Sequence, residues 1–173
     1  DEIRALVAEA ESAGVVEPQE RRMIAGVMRL GDRPVRAVMT PRMDIDWIDV
    51  NAADAEIRAR IRASVHSRLP VCDGAPERLI GVVHGKDMLD AMVDGRPLDL
   101  RALMHQPPVV PDTLDTLDAL ERLRGTPLGL AAVHDEYGHF EGLVTAMDIL
   151  SAIAGDFAAR PGGEPGDRKS TRL

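Results

Sequence analysis

Gly142-Leu143-Val144-Thr145-Ala146-Met147-Asp148 closes an apolar run, turns, and opens a helix. The residues beyond it, Ile149, Leu150, Ile153, Ala154 and Phe157, fall at helical spacing. The stretch reads as strand, tight turn and helix start, with Thr145 and Asp148 in the first helical turn. Free backbone N–H groups and a hydroxyl there can meet phosphate, and a carboxylate can accept from ribose hydroxyls. One G-x-x-T-x-x-D is weak evidence, but the chain carries an echo. Gly81-Val82-Val83-His84-Gly85-Lys86-Asp87 precedes Met88, Leu89, Met92 and Val93. The two glycines stand 61 positions apart (142 against 81), as do the two aspartates (148 against 87). That spacing predicts a tandem repeat.

The segments around each motif follow one order. In the first unit, Ile45 to Val50 reads as a strand containing Trp47, and Ala53 to Val65 as a helix presenting Ile57, Ile61 and Val65. Leu69 to Cys72 and Leu79 to Val83 are strands about the turn Asp73-Gly74-Ala75-Pro76, and Asp87 to Val93 is a helix. In the second unit, Leu103-Met104 leads in and Val109-Val110 is a short strand. Asp112 caps a helix carrying Leu114, Leu117, Leu120 and Leu123. Leu128 to Val133 and Phe140 to Val144 are strands about the hairpin turn His134 to His139, and a helix ends near Gly155. Each unit is β-α-β-β-α, so the fold class is mixed α/β.

Two helices stand ahead of the repeats. Ile3, Leu6, Val7 and Ala10 share a face of the first, which breaks at Ser12-Ala13-Gly14. The second starts at Pro18, with Glu17 and Glu20 at its positive end, and stops at Gly31. Its stripe of Met23, Ile24, Val27 and Met28 suits core or partner-helix packing. Pro41 holds Thr40 out of a helix, so Met39-Thr40-Pro41 marks an extended lead-in. The expected division is 1–32 linker helices, 33–97 first repeat, 98–157 second repeat and 158–173 tail. The tail, with Pro161-Gly162-Gly163-Glu164-Pro165-Gly166, lacks a core and is expected to be disordered.

Composition narrows the function. At 173 residues the chain can bury a sizeable core, and with 2% aromatics that core is aliphatic with Met filling gaps. A net charge of −8 argues against nonspecific nucleic-acid binding, though a nucleotide needs only local donors. The single Cys72 excludes an intramolecular disulfide framework and suits a reducing compartment. No apolar run approaches the roughly 18–20 residues that span a bilayer, and no signal peptide is visible. The chain opens on Asp1 inside a helical pattern, which reads as a piece of something larger.

Two β-α-β-β-α units, each closed by G-x-x-[T/H]-x-x-D, resemble a tandem pair of CBS domains with pseudo-twofold symmetry. A narrower resemblance rests on Val38-Met39-Thr40-Pro41-Arg42 followed by Ile48-Asp49, and on Gly81 to Leu89. It extends to Asp135-Glu136-Tyr137-Gly138 before Glu141 to Thr145, and to the helix Glu17 to Leu30. This ordered series, over roughly residues 14 to 156, is similar to the CorC/HlyC (hemolysin-like) and CNNM group. The resemblance implies the cytosolic regulatory part of a membrane protein linked to Mg²⁺, Co²⁺ or other divalent-cation transport. It implies partnership with a membrane domain and a homodimer of modules joined through helices. Membrane proteins of the TerC type carry similar pairs, and the residues leave the two parents open.

In such pairs adenine nucleotides (ATP, with Mg²⁺, or AMP) lie in clefts between the units, and the closing aspartate holds the ribose. Carried over by position, Thr145 and Asp148 match fully and Asp87 matches in role. His84 stands where Ser or Thr is usual, a bulkier and titratable group. The cleft of Thr145 and Asp148 is therefore the first expected to bind. Thr40 is expected to contact ribose or phosphate, Lys86 to oppose phosphate charge, and Val109 and Val110 to offer backbone groups to adenine. The chain departs from its relatives at His139, where Gly is usual, and at Ser151 and Ala152, where acidic residues are common.

Simpler accounts stand beside these. Asp87, Asp148 and Thr145 also suit helix caps. The five histidines show no H-x-x-x-H spacing, and strand geometry would split Asp44, Asp46 and Asp49 across two faces as solvated charge. No metal site of the protein's own is expected; Mg²⁺ would arrive on ATP phosphates. Cys72 reads as a core residue, and Ser64, Ser67 and Ser151 have no G-x-S-x-G setting. No enzymatic activity is expected, and the pyridoxal chemistry of the synthase that names the family does not transfer. The competing reading is a dimerisation scaffold with degenerate clefts.

Overall fold

The computed structural model describes residues 2–31 and 33–154. Helices α1 (Glu2–Ser12) and α2 (Pro18–Leu30) come first. Pro18 has the φ a first turn requires, and the Glu20 carboxylate accepts from the Glu17 N–H at 2.9 Å. The first unit follows as β1 (Thr40–Pro41), β2 (Ile48–Asp49), α3 (Asp54–Ala63), β3 (Arg68–Cys72), β4 (Leu79–His84) and α4 (Gly85–Val93). The second is α5 (Leu100–Leu103), β5 (Val109–Pro111), α6 (Thr116–Arg124), β6 (Leu130–His134), β7 (Phe140–Thr145) and α7 (Ala146–Ala154).

The described strands form two sheets, ordered β2-β3-β4 and β1-β7-β6-β5. In each, a parallel pair (β2 with β3, β5 with β6) sits beside an antiparallel hairpin (β3 with β4, β6 with β7). The units exchange their lead-ins. β1 of the first pairs with β7 of the second, Thr40 opposite Leu143, while His105 of the second bridges to Val82 in β4 of the first. The motif glycines permit this crossing. A Cβ at Gly142 would collide with the Thr40 carbonyl oxygen, and a Cβ at Gly81 would sit 2.7 Å from Met104 Sδ.

Each unit has its own aliphatic core, and a third lies between them. Ile48, Ile57, Ile61, Leu69, Val71, Val83 and Met88 fill the first unit. Val110, Ala119, Leu123, Val133, Val144 and Ile149 fill the second, joined by Leu30 of α2 and Val35. Val82, Leu128, Leu130, Ala132, Phe140 and Leu143 join the two. The segment after α2, assigned by sequence to the first repeat, is bonded to the second. Thr116, fully buried, gives its hydroxyl to the Arg33 carbonyl at 2.6 Å, and Val35 N donates to Leu114 O.

Three expectations change. The strand from Ile45 shrinks to Ile48–Asp49, because Arg42–Asp44 forms a 3-10 turn and Ile45 turns into the inter-unit core. The helix read from Asp112 begins at Thr116, with Asp115 at its N-cap. Asp112 instead bonds through its backbone to His134 and Arg36. Val65, placed on the face of α3, lies beyond the end of that helix and is 92% exposed. Helix α5 was not foreseen; Asp99 caps it, accepting from the Arg101 and Ala102 N–H groups. Phe157, Gly155 and the tail lie outside the described residues.

Candidate functional site

A cleft of about 650 Å³ opens between the units. The first unit contributes Thr40, Asp44 to Asp46, Val65 to Arg68 and Pro70; the second contributes Gly129, Leu130, Leu143 and Thr145 to Asp148. The strand exchange builds it. With Thr40 opposite Leu143, two residues from Thr145, hydroxyls from both units reach one cavity.

At its inner end Thr145 and Asp148 cap α7 reciprocally. The Thr145 N–H donates to Asp148 Oδ2 at 2.8 Å, and the Asp148 N–H donates to Thr145 Oγ1 at 3.1 Å. The simple capping account therefore holds, and it leaves binding capacity. The cap uses Thr145 Oγ1 as an acceptor only, so its O–H remains a donor, and Asp148 Oδ1 remains an acceptor. The positive end of α7 adds to the pull on an anion.

Arg68, at the start of β3, is the residue sequence reasoning missed. It lines the same cleft, and its Nε is buried without a hydrogen-bond partner. A buried guanidinium N–H with nothing to donate to is costly. A guanidinium with an unpaired N–H at the cleft wall is suited to a charge-assisted bond with a phosphate. The available signal was a lone arginine opening an otherwise apolar strand, Arg68-Leu69-Pro70-Val71-Cys72.

Asp44 and Asp46 both reach this cleft, whereas Asp49 is not among its lining residues. Asp46 is paired with Arg60 at 3.4 Å. Among the described residues no three His, Cys, Asp or Glu side chains form a group able to hold a metal ion.

The other predicted residues gather elsewhere. By position in the repeat, the partners of Thr40, Thr145 and Asp148 are His105, His84 and Asp87. His84 precedes α4 without a side-chain capping bond. Asp87 Oδ2 lies 4.0 Å from His105 Nε2, and the rings of His84 and His105 meet edge to face at 5.6 Å. Arg68 has no counterpart, since the residue opposite Thr145 on β6, as Arg68 is opposite His84 on β3, is Leu130. Lys86 is exposed on α4. Val109 and Val110 lie in β5, at the sheet edge farthest from β1, with Val110 in the second unit's core. None of His84, Lys86, Asp87, Val109 or Val110 lines the 650 Å³ cleft.

Two tight turns outside the cleft hold perturbed carboxyls. Asp135 accepts from the Tyr137 and His139 N–H groups at 2.9 and 2.7 Å and contacts His139 Nδ1 at 2.9 Å. This is how the hairpin turn accommodates His139. Partial burial pulls the Asp135 carboxyl up, but the bonds from His139 and Tyr137 outweigh it and hold it below its ordinary range. The Asn51 N–H does the same for Asp49, assisted by Gly74 against partial burial. Cys72 is buried, and desolvation, reinforced by Asp49 and Glu77, pushes its thiol up to about 12.

Comparison with known proteins agrees with this architecture. The CBS-domain family profile matches residues 35–94 and 100–155. The UPF0053 protein YegH of Escherichia coli (strain K12) is 47% identical over 143 residues, 82% of this chain and 27% of that protein. The chain thus spans about a quarter of the length of that relative. The solved CBS domain of the bacterial CNNM/CorC family Mg²⁺ transporter superposes with a TM-score of 0.77 at 34% identity, covering 89% of this chain and 94% of that one. The CBS domain of that transporter family in complex with ATP superposes with a TM-score of 0.69 at 34% identity, covering 80% and 99%.

Proposed function

The chain belongs to the CBS-domain family, as the CBS pair of a CNNM/CorC-type protein, and on that premise we propose that it senses an adenine nucleotide, foremost Mg-ATP, in the cleft of Thr40, Arg68, Thr145 and Asp148. The observation that carries the reading is Arg68, a guanidinium with an unsatisfied buried Nε, at the wall of a cavity that also holds two hydroxyls and a half-occupied carboxylate. Asp148 accepts from the ribose hydroxyls. Arg68, the hydroxyls of Thr40 and Thr145 and the start of α7 take phosphate oxygens. Ile45, Val65, Pro70, Leu130 and Leu143 offer an apolar wall to the base. The solved ATP complex of the related CBS domain supports this choice of ligand.

Charge supports Mg²⁺ as companion. With Asp46 paired to Arg60, Asp44 and Asp148 still place two carboxylates at the cleft against the Arg68 guanidinium. Bare ATP would meet net repulsion, whereas Mg²⁺ on the phosphates, retaining most of its waters, lowers it. The module acts as a switch because a ligand touching both units favours the arrangement that holds both. Helix α2, packed on α7, carries the change toward the membrane part of the parent protein at the cytoplasmic face. The exposed Leu89, Val93 and Leu150 on α4 and α7 suit a homodimer contact. No catalytic role and no nucleic-acid partner are proposed. At the first motif, where His84 and His105 replace hydroxyls, the scaffold reading stands.

Titration calorimetry of ATP with and without Mg²⁺, with AMP as comparator, tests the proposal. Mg²⁺-strengthened ATP binding that Asp148→Ala abolishes is the expected result. Absence of binding by either nucleotide would leave a dimerisation scaffold, of this group or of a TerC-type parent.

A further inference from the structure

On the reading that the larger cleft takes a nucleotide, we propose that Arg42 is a positioning residue, a strut between the units that sets Thr40 for the ligand without touching it. Thr40 belongs to a strand only two residues long, whose second residue, Pro41, has no N–H for the ladder. So short a pairing holds a side chain weakly. Continued by one residue, the register Thr40 to Leu143 and Pro41 to Gly142 sets Arg42 opposite Glu141. Its Nη1 donates to the Phe140 carbonyl at 2.9 Å and to Glu141 Oε1 at 3.3 Å, while Nε lies 4.0 Å from Glu77 in the β3–β4 turn. One guanidinium thus ties the first unit's lead-in to β7 of the second and back to the first.

The next step of the chain ties Arg42 to the cleft again. The 3-10 turn Arg42–Asp44 reverses the backbone and delivers Asp44, Ile45 and Asp46 to the cavity that Thr40 lines. Arg42 therefore stands between two segments of the cleft wall. Its own side chain lines a separate cavity of about 490 Å³, with Glu77, His134, Phe140 and Glu141. Two nitrogens of one planar guanidinium face the two units at once, Nη1 toward Phe140 and Glu141 and Nε toward Glu77, a span that the single nitrogen of lysine lacks.

The test is ATP titration of Arg42→Ala and Arg42→Lys, alone and combined with Thr40→Ala. Both Arg42 variants bind roughly tenfold more weakly than the parent, the size expected for losing a charge-assisted anchor. In the Thr40→Ala background the same changes cost less than about twofold, because the residue they position is gone. Parental affinity in Arg42→Lys would overturn the proposal, since charge alone would suffice, and so would an undiminished cost in the Thr40→Ala background. A ligand-free readout separates this from failure of the nucleotide reading. The NMR order parameter of the Thr40 methyl falls in Arg42→Lys while β3–β4 amide shifts stay fixed; an unchanged methyl overturns the strut even if no nucleotide binds. Glu141→Gln, which weakens the fork from the other side, serves if Arg42→Ala does not fold.

Discussion

Adding one methyl group at Gly142 should cost far more than adding it at the repeat-related Gly81. At Gly142 the new Cβ collides with the backbone carbonyl oxygen of Thr40, lies 3.1 Å from its carbonyl carbon and meets Met39 Sδ at 3.2 Å. A carbonyl in a paired strand cannot rotate away, so β1 must leave β7. At Gly81 the obstacle is Met104, with Sδ at 2.7 Å and Cβ and Cγ at 3.0 Å, a side chain with rotatable bonds. In both places Ala regains about 0.5–1 kcal/mol of the strand penalty that Gly carries. Overpacking costs about 1–3 kcal/mol, and each ladder hydrogen bond lost adds about 0.5–1.5 kcal/mol. Gly142→Ala therefore destabilises by roughly 2–3 kcal/mol, while Gly81→Ala falls within about 1 kcal/mol of zero. In thermal unfolding this is a loss of roughly 4–12 °C against a change of a few degrees. Because Thr40 leaves with β1, Gly142→Ala also loses nucleotide affinity. Equal stability of the two variants, or a greater loss at Gly81, would refute the strand-exchange argument.

Other substitutions separate cap from cleft. Thr145→Ala removes the cap on α7 at a cost of about 1 kcal/mol and weakens ATP binding, whereas Thr145→Ser preserves both, as paired urea melts and calorimetry will show. His84→Thr supplies the capping hydroxyl that α4 lacks and raises urea-melt stability by roughly 0.5–1 kcal/mol. Cys72, buried and with its thiol pushed up to about 12, stays unmodified by a thiol-disulfide reagent at pH 8 in the folded protein and reacts once urea unfolds it. The Asp135 carboxyl titrates lower folded than unfolded, so its contribution is complete above the unfolded value near 3.9 and disappears as pH falls through the folded value. The stability gap between parent and Asp135→Asn therefore narrows as pH falls from the unfolded value through the lower folded one, read by urea melts across pH.

The repeated G-x-x-[T/H]-x-x-D was enough to reveal both hairpins and the helices after them, because glycine, turn and helix start lie within seven consecutive residues in each copy. Local pattern did not reveal that the lead-ins cross over. β1 is two residues, and its partner in β7 is a hundred positions away, so no periodicity records the pairing. The same blindness hid the arrival of Asp44 and Asp46 at the cleft. Alternation predicted a strand through Trp47, but burying Ile45 between the units bends the chain first. Thr40, Thr145 and Asp148 could be placed together through the resemblance; Arg68 could not, since an arginine at a strand start looks like any solvated cation until its Nε is seen buried. The place of Val109 and Val110 at the far edge of the sheet from β1 is likewise a matter of strand order, which local pattern does not record.

Amide-shift mapping by NMR during titration with Mg-ATP tests the central claim most directly. Saturation at one nucleotide per chain is predicted, with the largest shifts at Thr40, Ser67, Arg68, Thr145 and Asp148 and little change at His84 and Asp87. Shifts centred on His84, Asp87 and His105, or none at all, would contradict the assignment of the nucleotide to the cleft of Arg68 and Thr145.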